Sequence, residues 1–451
     1  MFDFDQIDDA CIRCGLCMSQ QRAEGMPALM CGDIAQTFAN VKDATEIPED
    51  TYEFVRSCSL CDACTAACPR KLSCAEVCRA ARQVLARLQP ELADEYRVFR
   101  MDVCENLFAG MRLAGNIVYS EYLGGPAPPL ELDASQPRAT QPSAQRTLFM
   151  PGCTLSSYAE EVTRATFELL VARGAVCGMT AYCCGNPLSN AGLIDDYNRY
   201  AAGFARLLQR HRIDSIVVAC PNCLRRLEFL VEQNSLEIIL VPLPTVLVEL
   251  GVRYTPVPTA LDVPTTATAD TPTMPVHPSG DNVEIQGAPK LTQTKVLTLT
   301  PTAAPPCPSS ISVHDSCPDR ESGRFGRATR HLFIDSNIDL VEMANNGKKT
   351  ICCGSGGLAQ VYGPEHPRAR RDRRLEQFAA TGADCLVCSC ISCVNMFLSA
   401  PDAPPVRHYL ELILGKHIDW ARMAHNMDKA TVAKGSLDTA LADATPVFAD
   451  A

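Results

Sequence analysis

What this chain has little of narrows its role before any motif is read. Basic residues are in the minority, 41 Lys and Arg against 52 Asp and Glu, leaving a net charge of −11. Nucleic acid is therefore not expected as a partner, because phosphate binding needs a concentrated basic surface. No run of about 18 apolar residues occurs, so no segment is expected to span a membrane. Any membrane association would have to come through a partner, peripherally on the inner face. The opening MFDFDQIDDA is acidic and lacks the basic-then-apolar pattern of a secretory signal, so a cytoplasmic location is expected. Residues 79–115 contain little Gly or Pro and many Ala, Leu, Arg and Glu, which reads as helix.

Cysteine is what the chain has in excess. There are 25 in 451 residues, 47% of which are hydrophobic, ample for two or three domains with cores. A disulfide scaffold would be short and secreted; this chain is long, without a visible signal, and the count is odd. Thiolates clustered at ligand spacing in a reducing compartment read as metal sites instead.

The cysteines fall in three zones. In the first, Cys11, Cys14 and Cys17 stand in C-x-x-C-x-x-C spacing, and Cys58, Cys61 and Cys64 repeat it, followed by Cys68-Pro69. Three thiolates at that spacing wrap one 4Fe-4S cubane, with the fourth ligand supplied by the other motif. One cubane is thus expected on Cys11, Cys14, Cys17 and Cys68, the other on Cys58, Cys61, Cys64 and one more. The position for that last thiol is Gln21, and the nearest substitute is Cys31; without it the second cluster would be three-iron or lost. Zinc is the competing occupant, but zinc sites normally pair two CxxC units without the trailing x-x-C and C-P. Cys74, Cys78 and Cys104 fit no ligand spacing and read as small buried hydrophobes.

The second and third zones repeat one design. Cys153 is followed by Cys183-Cys184-Gly185 and Cys220-x-x-Cys223; Cys317 is followed by Cys352-Cys353-Gly354 and Cys390-x-x-Cys393. The offsets are 30 and 35 residues to the pair, then 36 and 37 to the CxxC. TLFM (147–150) and ISVH (311–314) read as strands just ahead of the first cysteine, and SIVVAC and DCLVCSC as strands delivering the CxxC. Amphipathic helical stretches lie between, so each copy reads as a small α/β unit with ligands at strand ends. The expected organisation is an α+β, α/β multidomain chain. A helical ferredoxin-like domain (1–100) leads into a helix and Pro-rich linker (101–146) and a first cysteine-rich module (147–250). A Thr/Pro-rich disordered insertion (251–310), a second module (311–415) and a tail (416–451) follow.

The order C…CCG…CxxC, twice, behind a two-motif ferredoxin segment, resembles the cysteine-rich CCG-domain proteins. These include heterodisulfide reductase catalytic subunits and the iron–sulfur subunits of glycolate, lactate and glycerol-3-phosphate dehydrogenases. CCGNPL (183–188), CCGSGG (352–357) and VHDSCPDR (313–320) carry the likeness, which covers about residues 8–80, 147–245 and 311–400. The fused order is most similar to the single-chain reductase subunit that works with a membrane cytochrome b. The resemblance implies a noncubane 4Fe-4S cluster on Cys153, Cys183, Cys184, Cys220 and Cys223. It implies a second on Cys317, Cys352, Cys353, Cys390 and Cys393, with Gly185 and Gly354 letting the backbone turn beside sulfur. Both thiol sets are complete, which favours disulfide-reducing chemistry, fed through the two cubanes from a cytochrome b or flavoprotein donor. The alternative is an electron-relay subunit of a flavin-dependent 2-hydroxy acid or glycerol-3-phosphate dehydrogenase, delivering electrons to quinone. The second CxxC departs from the family form: it sits in CLVCSCISC, where Cys388 competes with Cys390 as ligand and Cys385 is extra. Cys177 and Cys307 read as non-ligands.

Two weaker features complete the reading. His314 and Arg320 flank Cys317, either to bond cluster sulfur or substrate or as a structural pair at a strand end. PRARRDRR (367–374) reads as an exposed helical face, with docking of an anionic group or partner as the alternative.

Overall fold

Where apolar residues recur at helical spacing, the first hundred residues fold as helices around one core. The computed structural model describes residues 2–22, 25–102, 106–115, 117, 146–180, 182–254, 308–334 and 336–432. The Asp3 carboxylate accepts from Gln6 N at 2.9 Å and starts α1 (Phe4–Ala10). Helices α2 (Cys31–Asn40) and α3 (Glu49–Ser57) follow, then the short α4 (Ala63–Ala67). Ser73 caps α5 (Cys74–Leu88), accepting from Glu76 N at 3.2 Å. Its buried stripe is Cys74, Val77, Cys78, Ala81 and Leu85, the i, i+3, i+4, i+7 pattern of one helix face.

The two later units are built on strands that read as unbroken apolar runs, as expected of parallel sheets covered on both faces. In the first, β1 (Thr147–Met150), β2 (Gly178–Met179), β3 (Ser215–Val218) and β4 (Ile239–Pro242) form a parallel sheet of order β2-β1-β3-β4. The second repeats it with β5 (Ser310–His314), β6 (Asp339–Leu340), β7 (Cys385–Cys388) and β8 (Val406–His408) in the order β6-β5-β7-β8. The order in which the chain lays down its parallel strands reverses at the first strand of each unit, and ligands in open α/β sheets sit at the strand ends there. Cys153 follows β1 and Cys220 follows β3; Cys317 follows β5 and Cys390 follows β7.

Helices close both faces. In the first module these include α6 (Ile194–Arg210), α7 (Pro221–Gln233) and α8 (Leu243–Glu249). In the second they include α9 (Arg324–His331), α10 (Glu365–Ala379) and α11 (Ile391–Leu398). One hydrophobic cluster runs through both modules, joining Phe149 and Leu247 to Ile311, Leu332 and Phe397. Within the stretch read as a tail, residues 420–432 instead form a helix, and Ala430 packs against Gly110 of the helix Leu107–Ala114. The Pro-rich linker at 124–145, residues 255–307 of the insertion, residues 433–451, Cys104 and Cys307 lie outside the described residues.

Candidate metal centres

The two N-terminal CxxCxxC loops share a strained backbone. Arg13 and Gly15 have φ of 49° and 75°, and Leu60 and Asp62, at the same places in the second loop, have 52° and 58°. Left-handed conformation at a residue other than Gly costs about 1–3 kcal/mol, so it is kept where the surroundings demand it. Alternate left-handed residues turn peptide N–H groups to one side, a concavity for anionic sulfur; Leu60 N already donates to Cys58 Sγ at 3.4 Å.

The first expected set is brought together. Cys11, Cys14, Cys17 and Cys68 line one void, and Cys31 and Cys64 reach the same void. Gly32 lies so close that a Cβ there would be 3.1 Å from Cys11 Sγ. The Cys17 thiol is pushed up to about 11 by burial, with the charges of Cys64 and Cys31 adding to it. The two sets therefore adjoin each other.

For the second set the structure offers more thiols than the sequence did. Gln21 stands beside Cys64, its Nε2 at 3.7 Å from the sulfur, but it is tied to Leu29 N and O at 2.8 and 2.7 Å. Cys78 exchanges a hydrogen bond with Cys58, and Cys74 with Cys64, Cys31 and Cys78. Bonds from Cys58 and Cys74 hold the Cys78 thiol well below its ordinary value, with Arg82 and Arg79 assisting. Cys31 thus meets the second set at Cys64, across the void they share and through Cys74, while Cys78 meets it at Cys58. Sequence spacing could not find Cys74 and Cys78 because their approach depends on the packing of α5. Cys78→Ser should lower iron content by up to one cluster, read by iron analysis and EPR; full iron in Cys78→Ser with loss in Cys31→Ser would return the role to Cys31.

In the first module the five thiols form one buried group, 2–8% exposed. Cys183 Sγ lies 3.8 Å from Cys153 Sγ, and Cys184 is held low by bonds from Cys183 and Cys223. Tyr200 fixes the pair's backbone, its hydroxyl donating to Cys183 O at 3.0 Å and accepting from Cys183 N at 3.1 Å. The second module repeats the arrangement: Cys317 and Cys352 sulfurs are 3.8 Å apart, Cys353 and Cys393 3.1 Å. Bonds from Cys352 and Cys393 push Cys353 down to about 5. Gly185 and Gly354 have φ of 77° and 90°, and a Cβ on Gly354 would meet Pro367 O at 2.1 Å. Among the described residues every cysteine is a free thiol. Buried sulfurs crowded in this way can converge as thiolates on one metal centre, whose positive charge offsets their mutual repulsion. The donor sets fit iron–sulfur clusters.

The sites are contiguous. Asn222, between the two cysteines of the first module's CxxC, has its Nδ2 3.9 Å from Cys390 Sγ of the second, and Cys220 acts to hold the Cys390 thiol low. Cys388, by contrast, stays on β7 with its thiol raised by burial, and Cys385 is pushed up to about 12 for the same reason. Cys390 is thus the thiol brought into the group. Cys177 is exposed and donates to Thr147 O at 3.2 Å. On the other side, the charge of Cys61 acts on Cys317, and Arg320 Nε reaches Cys61 O at 3.3 Å. A cavity of about 400 Å³ opens beside Cys317, between Asp62, Arg225, Glu228 and Arg320. Its wall is pinned by the Arg225–Asp62 ion pair at 2.5 Å.

The basic run corrects one expectation. Arg370, Arg371 and Arg374 are 2%, 5% and 0% exposed, not displayed on a surface. Arg370 bonds Ser59 Oγ at 2.7 Å, and Arg374 Nε donates to His314 Nδ1 at 3.1 Å. The arginines serve as internal donors because α10 is wedged between the N-terminal loops and the second sheet. Burial, with Arg374 adding, pushes His314 down to about 3, so the ring is neutral.

The family model of the cysteine-rich domain called CCG matches residues 147–228 and again 311–398. No curated protein matches the chain. Two CCG domains with clustered thiols make this an iron–sulfur protein of the oxidoreductase type. Among the described residues no helix is long and apolar enough to cross a membrane.

Proposed function

We propose, from the premise of two CCG domains with complete thiol sets, that the chain is an oxidoreductase subunit reducing a small disulfide, in the manner of heterodisulfide reductase. The observation that carries this reading is the approach of the first module's CxxC to the second's, with Asn222 Nδ2 at 3.9 Å from Cys390 Sγ, which sets the two module sites side by side. Cleaving a disulfide consumes two electrons and two protons and yields two thiols, so one substrate needs two one-electron sites within reach. Iron–sulfur clusters in these sites would supply that one-electron chemistry.

The chain's own residues do the rest. The ferredoxin-like loops offer Cys11, Cys14, Cys17 and Cys68 for one cubane and Cys58, Cys61 and Cys64 for the other. Cys61 is linked to the second module by Arg320, three residues after Cys317, whose Nε donates to Cys61 O at 3.3 Å, which would give a path from that second set to the second module. Cys317, the half-buried member of its set, faces the 400 Å³ cavity, where a small disulfide can approach. The first-module thiols are closed off from solvent, which protects them from side reactions. A membrane cytochrome b or a flavoprotein is the donor that this chemistry calls for.

That same closure favours a second reading, a relay subunit of a flavin-dependent dehydrogenase in which no substrate reaches sulfur. The two are separated by oxidising anaerobically purified protein and adding small thiols under EPR. A new paramagnetic signal dependent on thiol, with disulfide reduction by a reduced dye, is the expected result. Unchanged spectra and no disulfide turnover would leave the relay.

A further inference from the structure

The second module carries a buried polar pair beside its thiols where the first has two apolar residues. His314 ends β5 and pairs in register with Cys388 of β7; Met150 ends β1 and pairs with Val218 of β3. Each lies three residues ahead of the first cysteine of its module. Arg374 stands eleven residues before β7, and Phe204 eleven before β3. His314 and Arg374 therefore stand at the places where the first module has Met150 and Phe204.

His314 is fully buried, with its ring edge-on to Phe397 at 5.0 Å. One of its ring nitrogens and the sulfurs of Cys353 and Cys393 all lie within 4.8 Å of one another. That grouping admits two roles, iron ligand or hydrogen-bond donor, and Arg374 decides between them. A guanidinium has donors only, so the Nδ1 that receives Arg374 Nε at 3.1 Å must offer its lone pair. The ring proton then sits on Nε2. A nitrogen bearing a proton cannot bind iron, but it can donate, and Nε2 has no partner. Arg374 is itself fixed by Asn345 O and Gln377 Oε1, both at 2.7 Å, so the tautomer is held from outside. A buried donor left unpaired is unfavourable, and anionic sulfur standing before it removes that cost.

We infer that His314 is a positioning residue that donates an N–H···S hydrogen bond from Nε2 to the sulfurs of the second-module cluster, its tautomer set by Arg374. A donor facing sulfur favours the form with one more electron, and so raises the reduction potential of that cluster. The first module has Met150 at the matching place, so the two clusters differ in potential by design of sequence. In the first module the charge of Arg226 on α7 acts on Cys184, and its guanidinium lies over the Tyr197 and Phe229 rings.

The inference rests on the reading that the second module holds a cluster, and the test separates the two. Full-length protein is loaded anaerobically, its iron and sulfide are counted, and it is titrated under EPR, with pulsed EPR for nitrogen coupling. Wild type should show weak coupling to an imidazole nitrogen. His314→Met, which copies the first module, should keep its iron and move the second-module potential to a more negative value. His314→Gln, which keeps an N–H donor, should recover most of that shift, and the other clusters should not move. Iron for no more than two clusters in wild type, with cubane signals alone, would defeat the cluster reading itself. Full loading with strong, directly bound nitrogen coupling, with none, or with an unshifted potential in His314→Met would overturn the inference alone. The wild-type coupling decides even if His314→Met does not fold.

Discussion

Cys353→Ser is expected to end disulfide turnover while leaving the N-terminal clusters in place. Cys353 is the thiol that both of its neighbours bond, with Cys393 at 3.1 Å, and it is held down to about 5, where it is anionic at neutral pH. A serine hydroxyl does not ionise there, and the metal ligand is the thiolate. Even partners outside the ligand shell cost roughly 10–100-fold when removed, so loss of a ligand should lower disulfide reduction by about a hundredfold or more. Iron should fall by one cluster and the thiol-dependent EPR signal should vanish. Cys388→Ala is the contrast, because Cys388 makes no thiol hydrogen bond and stays on β7. Turnover within a few-fold of wild type is expected for it. Equal losses in the two variants would show that the ligand set had been drawn wrongly.

Arg82→Met is expected to loosen the union of the three parts of the chain. The guanidinium is 2% exposed and reaches five carbonyl oxygens. Three belong to the N-terminal part: Val55 at 2.8 Å, Arg56 at 3.2 Å and Cys58 at 2.6 Å. One is Asn190 of the first module at 2.7 Å, and one is Gly357 of the second at 2.5 Å. Methionine fills much the same space but donates nothing, so these acceptors lose a charged donor in the interior. Breaking a buried charged network of this kind costs roughly 3–5 kcal/mol. Lysine should recover little, because three donors on a point charge cannot match a planar fork. A lower denaturant midpoint is expected, with faster hydrogen exchange in α5 and around Asn190 and Gly357. An unchanged midpoint would refute the role of Arg82 as the tie.

These contacts show where the sequence stopped being readable. Strand runs, the repeated cysteine order and the glycines after each CC pair are local, so both α/β units and their ten thiols could be placed from spacing and family likeness. Cys74 and Cys78 could not, since they follow no ligand spacing and meet Cys64 and Cys58 through helix packing alone. The run at 367–374 misled for a similar reason. Charge density implied a wet surface, but Arg374 on α10 is matched by His314, which lies sixty residues earlier at the end of β5. His314 itself was visible as a residue near Cys317; its tautomer, which settles what it can do, depends on a partner that only the fold supplies.

The most direct test of the whole account is the iron and sulfide content of anaerobically purified full-length protein, read together with its EPR spectrum before and after thiol is added to the oxidised form. Iron and sulfide for four clusters, with a new signal appearing only with thiol, is the predicted result. Iron for two clusters and only cubane signals would contradict it, because the paired thiol sets around Cys220 and Cys390 would then hold nothing that could deliver two electrons.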